Sequence, residues 1–135
     1  MSNYRLEKDI KVICEAARSF PNDIMGAFDR LKKLVPNSES RTVYGISHMD
    51  HGKIIYKAAN PESYAGEAEA LGAESYIIKA GDYISETLQN WRDNGNIVGD
   101  TFQKLLADPR IDPQGACIEW YKENGEMMCM IRIVP

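Results

Sequence analysis

A helix followed by a β-hairpin is written twice along this chain, and that recurrence constrains the fold more than any single motif. After Phe20-Pro21, Asn22 and Asp23 can cap a helix, and Ile24, Ala27, Phe28, Leu31, Leu34 and Val35 then recur at helical spacing. Lys32 and Lys33 suit the negative end of the dipole, and Pro36 stops the run. Thr42–His48 and Lys53–Ala58 are rich in β-formers and flank Asp50-His51-Gly52, which predicts a hairpin. A later helical piece from about Asn96 carries Ile97, Phe102, Leu105 and Leu106 and ends before Asp108-Pro109. Ala116–Lys122 and Met127–Val134 then flank Asn124-Gly125, the strongest short-range hairpin signal.

A strand precedes each of these units. Ile10–Ala17, with the apolar run Val12, Ile13, Cys14, leads into the first. Ser75–Ala80 leads into the second, where Gly81-Asp82 is read as opening a helix whose Ile84, Thr87, Leu88 and Trp91 share a face until Gly95 interrupts it. Asn60–Ala73, with Pro61, Gly66 and Gly72, reads as a connection. The expected fold class is α+β, with residues 1–135 as one domain and a β-α-β-β repeat used twice, over about 9–59 and 75–135 with 60–74 between. The two repeats form one antiparallel sheet with a helix from each on one face. Each has only one helix to cover its own hairpin, so the seam between them is a natural cleft.

Charge and cysteine content remove several function classes. The formal net charge of -4, with Lys and Arg scattered among more numerous acids, speaks against a direct nucleic-acid surface. Cys14, Cys117 and Cys129 are odd in number and lack Cys-x-x-Cys spacing, so neither a disulfide framework nor a thiolate zinc site is expected, and a reducing cytoplasm fits. No apolar stretch approaches a membrane span, and Met1–Asp9 lacks a secretory pattern, so no membrane partner is expected. His48-Met49-Asp50-His51 sits at a hairpin tip without a third ligand, so no metal is assigned to it. Phosphate loops, nucleophile elbows and Cys-His patterns are absent from the sequence, and no cofactor is expected. The oligomeric state is not written in these patterns.

The last hairpin holds the residues worth testing. Alternation by two places Ile118 and Trp120 on one face and Cys117, Glu119 and Tyr121 on the other. With Asn124-Gly125 as a two-residue turn, Glu119 would lie opposite Met130 and Tyr121 opposite Met128, with Arg132 a diagonal neighbour of Glu119. Two readings stand side by side. Glu119 pairs with Arg132 on a solvated sheet face, worth 0 to about 1 kcal/mol, or it meets an apolar, adaptable, positively charged ligand beside an aromatic ring and two thioethers.

The run Ser75-Tyr76-Ile77-Ile78-Lys79-Ala80-Gly81-Asp82-Tyr83, the expected helix with Trp91, and Ile118-Glu119-Trp120-Tyr121 resemble the GyrI-like domain, the effector-binding domain of AraC-type and MerR-type transcription activators. The resemblance implies a groove between two strand, helix, strand, strand repeats, with Glu119 and Tyr121 at the positions that reach hydrophobic and often cationic ligands. On it rests the expectation of a stand-alone small-molecule binding protein, with Glu119 as counter-charge and Tyr121, Met128, Met130, Trp91, Tyr44, Tyr56 and Tyr64 as candidate walls. Regulators of this family carry a separate DNA-binding region, so a link to transcription would need such a partner. The alternatives the resemblance leaves open are a hydrolase of strained electrophilic compounds using Glu119 as general base with Tyr121, and a gyrase-interacting inhibitor.

Overall fold

The computed structural model describes residues 1–134. Its elements run β1 (Ser2–Leu6), β2 (Ile10–Ala16), α1 (Ile24–Leu34), β3 (Val43–Asp50), β4 (Lys53–Pro61), α2 (Glu67–Ala70), β5 (Glu74–Ile78), β6 (Gly81–Leu88), α3 (Ile97–Leu106), β7 (Cys117–Tyr121) and β8 (Met127–Arg132), with short 3-10 turns at Ser38–Ser40 and Trp91–Asp93. All eight strands join one antiparallel sheet in the order β1-β6-β8-β7-β3-β4-β2-β5.

Short links force this sheet to curl. β5 lies at one edge, yet only Lys79 and Ala80 separate it from β6, which is second from the other edge. The two ends must therefore approach each other, and Leu6 of β1, Ile78 of β5 and Tyr83 of β6 share one buried cluster with Val12, Ile46, Ile118 and Met130 on the inner face. The outer face carries the helices. Cross-strand partners share a face, and the chain of partners Ala58–Gly45–Glu119–Cys129 runs from β4 through β3 and β7 to β8 on that outer side. At one end α1 packs Ala27, Leu31 and Val35 onto Ile13 and Ala58. At the other, α3 packs Phe102 and Leu105 onto Ile84, Met127 and Ile131. The central strands β3 and β7 lie between the helices.

Three sequence expectations change. Gly81–Leu88 is strand β6, and its Ile84 and Leu88 are buried by sheet packing. Both faces of that strand are covered, which erases the period of two and leaves a spacing that mimics a helix. The second helix is α3 alone, and the strand leading into it is β6. Ser2–Leu6, to which the sequence patterns assign no element, adds an edge strand against β6. Asp23 sits at the start of α1 without capping its amides; its carboxylate accepts from the Arg18 backbone N–H at 2.7 Å and from Arg30 Nη2 at 2.8 Å.

The connection between the halves is anchored by an ion pair whose carboxylate is buried. Arg41 donates Nη1 and Nη2 to the two oxygens of Glu67 at 2.7 and 2.8 Å, and the Ser63 backbone N–H adds a third donor at 2.7 Å. These donors, the Arg41 guanidinium first, hold the Glu67 carboxyl well below its ordinary 4.5, at about 2. A carboxyl depressed on folding contributes stability that is complete above 4.5 and is lost as pH falls toward 2. Urea unfolding of wild type and Glu67→Gln across that range should show a gap that is constant above 4.5 and narrows on acidification. A gap independent of pH would remove the ion pair from the account.

Candidate functional site

Helices that stop short of the central strands leave an open floor, and the floor is a cleft of about 840 Å³. Phe20 and Ile24 at the start of α1 form one wall. Trp91, Val98, Gly99, Phe102 and Leu106 form the other, and the floor comes from β3, β4, β7 and β8 through Ser47, Tyr56, Cys117, Glu119, Tyr121 and Met127. This size is ordinary for a small-molecule site.

Glu119 lies at the centre. Its Oε1 accepts from the Tyr56 hydroxyl at 2.8 Å and the Tyr121 hydroxyl at 2.5 Å, and the two hydroxyls lie 3.3 Å apart. Oε2 has no hydrogen-bond partner among the described residues, yet it is not sealed from solvent, so it is the oxygen presented to the cleft. Burial raises the Glu119 carboxyl above its ordinary value, and the Tyr121 and Tyr56 hydrogen bonds pull it partly back. Burial, with the carboxylate close by, pushes both tyrosine hydroxyls up, so they remain donors. The neighbouring thiols are also raised by burial, Cys117 to about 11 and Cys129 to about 12, which leaves them neutral and polarizable.

Aromatic rings hold this group in place. Phe28 of α1 meets Tyr121 edge-on at 5.8 Å and Tyr56 at 6.2 Å, while Trp91 lies 5.5 Å from Tyr121 and Phe20 6.1 Å from Tyr56. The indole N–H of Trp91 donates to the Gly125 carbonyl at 3.2 Å, tying the wall to the last hairpin. Gly45 is the cross-strand partner of Glu119. A Cβ there would run into the Tyr56 hydroxyl and Glu119 Oε1, so a glycine is needed for the two head groups to lie across the strand.

The candidate residues divide cleanly. Glu119, Tyr121, Tyr56 and Trp91 come together in the cleft. Met128 and Met130 do not, because the hairpin has a three-residue loop with Gly125 at φ +89°, and the register shifts by one to pair Glu119 with Cys129 and Tyr121 with Met127. Both methionines face the inner core beside Tyr44 and Ile118, and Met127 takes the place in the cleft expected of Met128. Tyr44 is buried in that inner core, and Tyr64 is exposed away from the cleft. Arg132 is on the inner face as well, donating to Asp112 Oδ2 at 3.2 Å and the Ala80 carbonyl at 3.2 Å, so it does not neutralise Glu119. Gly45, Phe28 and Met127 were missed; a lone glycine inside a β-forming run was the available signal for Gly45.

No family model matches the sequence, and no curated protein matches it. Solved structures match its fold. SAV2435 bound to tetraphenylphosphonium superposes with a TM-score of 0.67 at 12% identity, over 98% of this chain and 93% of that one. An integron cassette protein from Vibrio cholerae gives 0.71 at 11% identity, over 98% and 95%. A protein of Staphylococcus aureus MU50, whose assigned role in bacterial transcription regulation is itself a proposal, gives 0.63 at 12% identity, over 99% and 97%. At such identities the likeness is one of fold.

Gly45→Ala should destabilise the protein by about 1–3 kcal/mol, as overpacking of a tight site does. Urea unfolding measures this, and pairing it with Tyr56→Phe tests the cause. The alanine should cost less in the Tyr56→Phe background, where the hydroxyl it meets is gone; equal costs in both backgrounds would dissociate Gly45 from the tyrosine–carboxylate group.

Proposed function

We propose that this chain is a small-molecule binding protein whose cleft takes apolar or aromatic cations, with Glu119 as their counter-charge. The observation that carries this reading is the lining itself: among the described residues Glu119 is its one acid, and no Lys or Arg lines it. A carboxylate held by two hydroxyls with an oxygen to spare is short of positive charge. A cation about 4 Å away gains about 4 kcal/mol at an effective dielectric near 20. Indole, phenyl and thioether groups around it favour the same class of ligand through cation–π and dispersion contacts. The fold shared with SAV2435, which binds tetraphenylphosphonium, supports that choice.

We further infer that the cleft arises from an internal duplication, in which β2-α1-β3-β4 and β6-α3-β7-β8 are copies of one unit. On that reading Gly45 and Glu119 occupy equivalent positions, and the missing side chain of one copy makes room for the carboxylate of the other. A link to transcription would run through a DNA-binding region joined to this domain. The hydrolytic alternative would use Glu119 Oε2 to hold a water, and it predicts turnover, which a binding protein lacks.

Calorimetric titration with tetraphenylphosphonium tests the proposal. Glu119→Gln should weaken binding about 100- to 1,000-fold, the scale of a shielded charge pair of about 4 kcal/mol. The pH dependence has a definite sign. Because burial raises the carboxyl of folded Glu119 above 4.5, that group loses its proton, and the folded protein loses stability, as pH rises above 4.5. Affinity for the cation should therefore rise across the same interval in wild type and stay flat in Glu119→Gln. Equal binding by both proteins at every pH would refute the counter-charge role.

A further inference from the structure

A second polar site lies in the same cleft, away from the carboxylate. The pairing of β3 with β7 ends at Ser47 and Cys117, and β3 runs on through His48 with only β4 beside it. Beyond that point the edge of β3 is open, so a residue from its inner face also reaches the cleft. His48 does so, and Tyr76 of β5 lines the same end together with Gln114 and Ala116.

Neither His48 nor Tyr76 has a side-chain hydrogen-bond partner among the described residues, in contrast to Tyr56, Tyr121 and Tyr83, whose hydroxyls are all engaged. His48 Nδ1 is the one buried side-chain nitrogen or oxygen among the described residues that lacks a partner. An unmade hydrogen bond on a buried group is costly, and native proteins keep few of them. That nitrogen is sealed from the cleft, so a ligand would meet the two unpartnered polar atoms that are not sealed, His48 Nε2 and the Tyr76 hydroxyl.

We propose that His48 and Tyr76 form a hydrogen-bonding subsite for the distal polar group of an elongated ligand whose cationic end lies at Glu119. This rests on the counter-charge reading of the cleft. The backbone sets the scale of the spacing: Gly45 is opposite Glu119, and the His48 backbone is three residues further along β3, about 10 Å at roughly 3.4 Å per residue. The ligand class is thus a two-headed amphiphile, with a cation, an apolar body in the cleft, and a hydroxyl, carbonyl or amide about 10 Å from the charge. An imidazole can donate or accept and a phenol can do both, so either polarity of that group is served.

Matched probes separate this subsite from the cation site: alkyl triphenylphosphonium ions of graded chain length, and the same ions bearing a terminal hydroxyl, titrated by calorimetry. In wild type one chain length should show a hydroxyl preference over its alkyl match of about 3- to 10-fold, the worth of one hydrogen bond. Tyr76→Phe and His48→Phe should each reduce that preference while leaving the alkyl ions within about twofold of wild type. Glu119→Gln should weaken both series alike and preserve the preference. If the alkyl and hydroxyl series bind wild type equally at every length, or the preference survives in the Tyr76→Phe and His48→Phe variants, the subsite is wrong and the cation site stands. If neither series binds, the counter-charge reading fails and the subsite with it.

Discussion

A carboxylate laid on the floor of an apolar cleft is the interaction on which this structure turns. Burying a charge is costly unless it is paired, and Glu119 is paired only in part, through two tyrosine hydroxyls on one oxygen. Everything nearby serves that half-satisfied state. Gly45 gives up a side chain so the hydroxyl and carboxylate can lie over β3. Phe28 and Trp91 fix the tyrosine rings from the helical side. Arg132, near in sequence, is spent on Asp112 across the sheet. The fold keeps a negative charge sheltered without supplying its cation.

The architecture makes such a place available. Helix α1 lies over β2 and β4 and helix α3 over β6 and β8, so the two central strands between them meet the helices only at their flanks. Meanwhile the opposite face closes on itself into a second core, so the sheet is held from its inner side and does not need the cleft filled for support. A site can then stay open because stability is lodged elsewhere, in the curled core and in links such as the Arg41–Glu67 pair.

Much of this was legible in the sequence wherever one face of an element meets water. Helix α1 and the hairpin at His51-Gly52 follow from amphipathic spacing and turn chemistry, and the turn has both residues at positive φ as such a hairpin needs. Legibility failed where both faces are buried or both exposed. β6 lost its alternation to double burial, and β1 carries an edge too polar to announce itself. Within the site, alternation sufficed to turn Glu119 and Tyr121 away from Ile118 and Trp120. Which methionines they meet depended on loop length in the last hairpin, and a single added residue exchanged Met128 and Met130 for Met127 and Cys129. Tyr44 and Tyr56 illustrate the remaining limit: both sit on strands, and only their register relative to β7 decides that Tyr56 joins the carboxylate while Tyr44 joins the core.

The most direct test of the central claim is an anomalous-scattering map from crystals soaked in tetraphenylarsonium, whose arsenic marks the position of the charge. The account predicts one peak in the cleft between α1 and α3, next to the free oxygen of Glu119 and within the ring of Tyr56, Tyr121 and Trp91. A peak elsewhere on the molecule, with the cleft empty beside it, would contradict it.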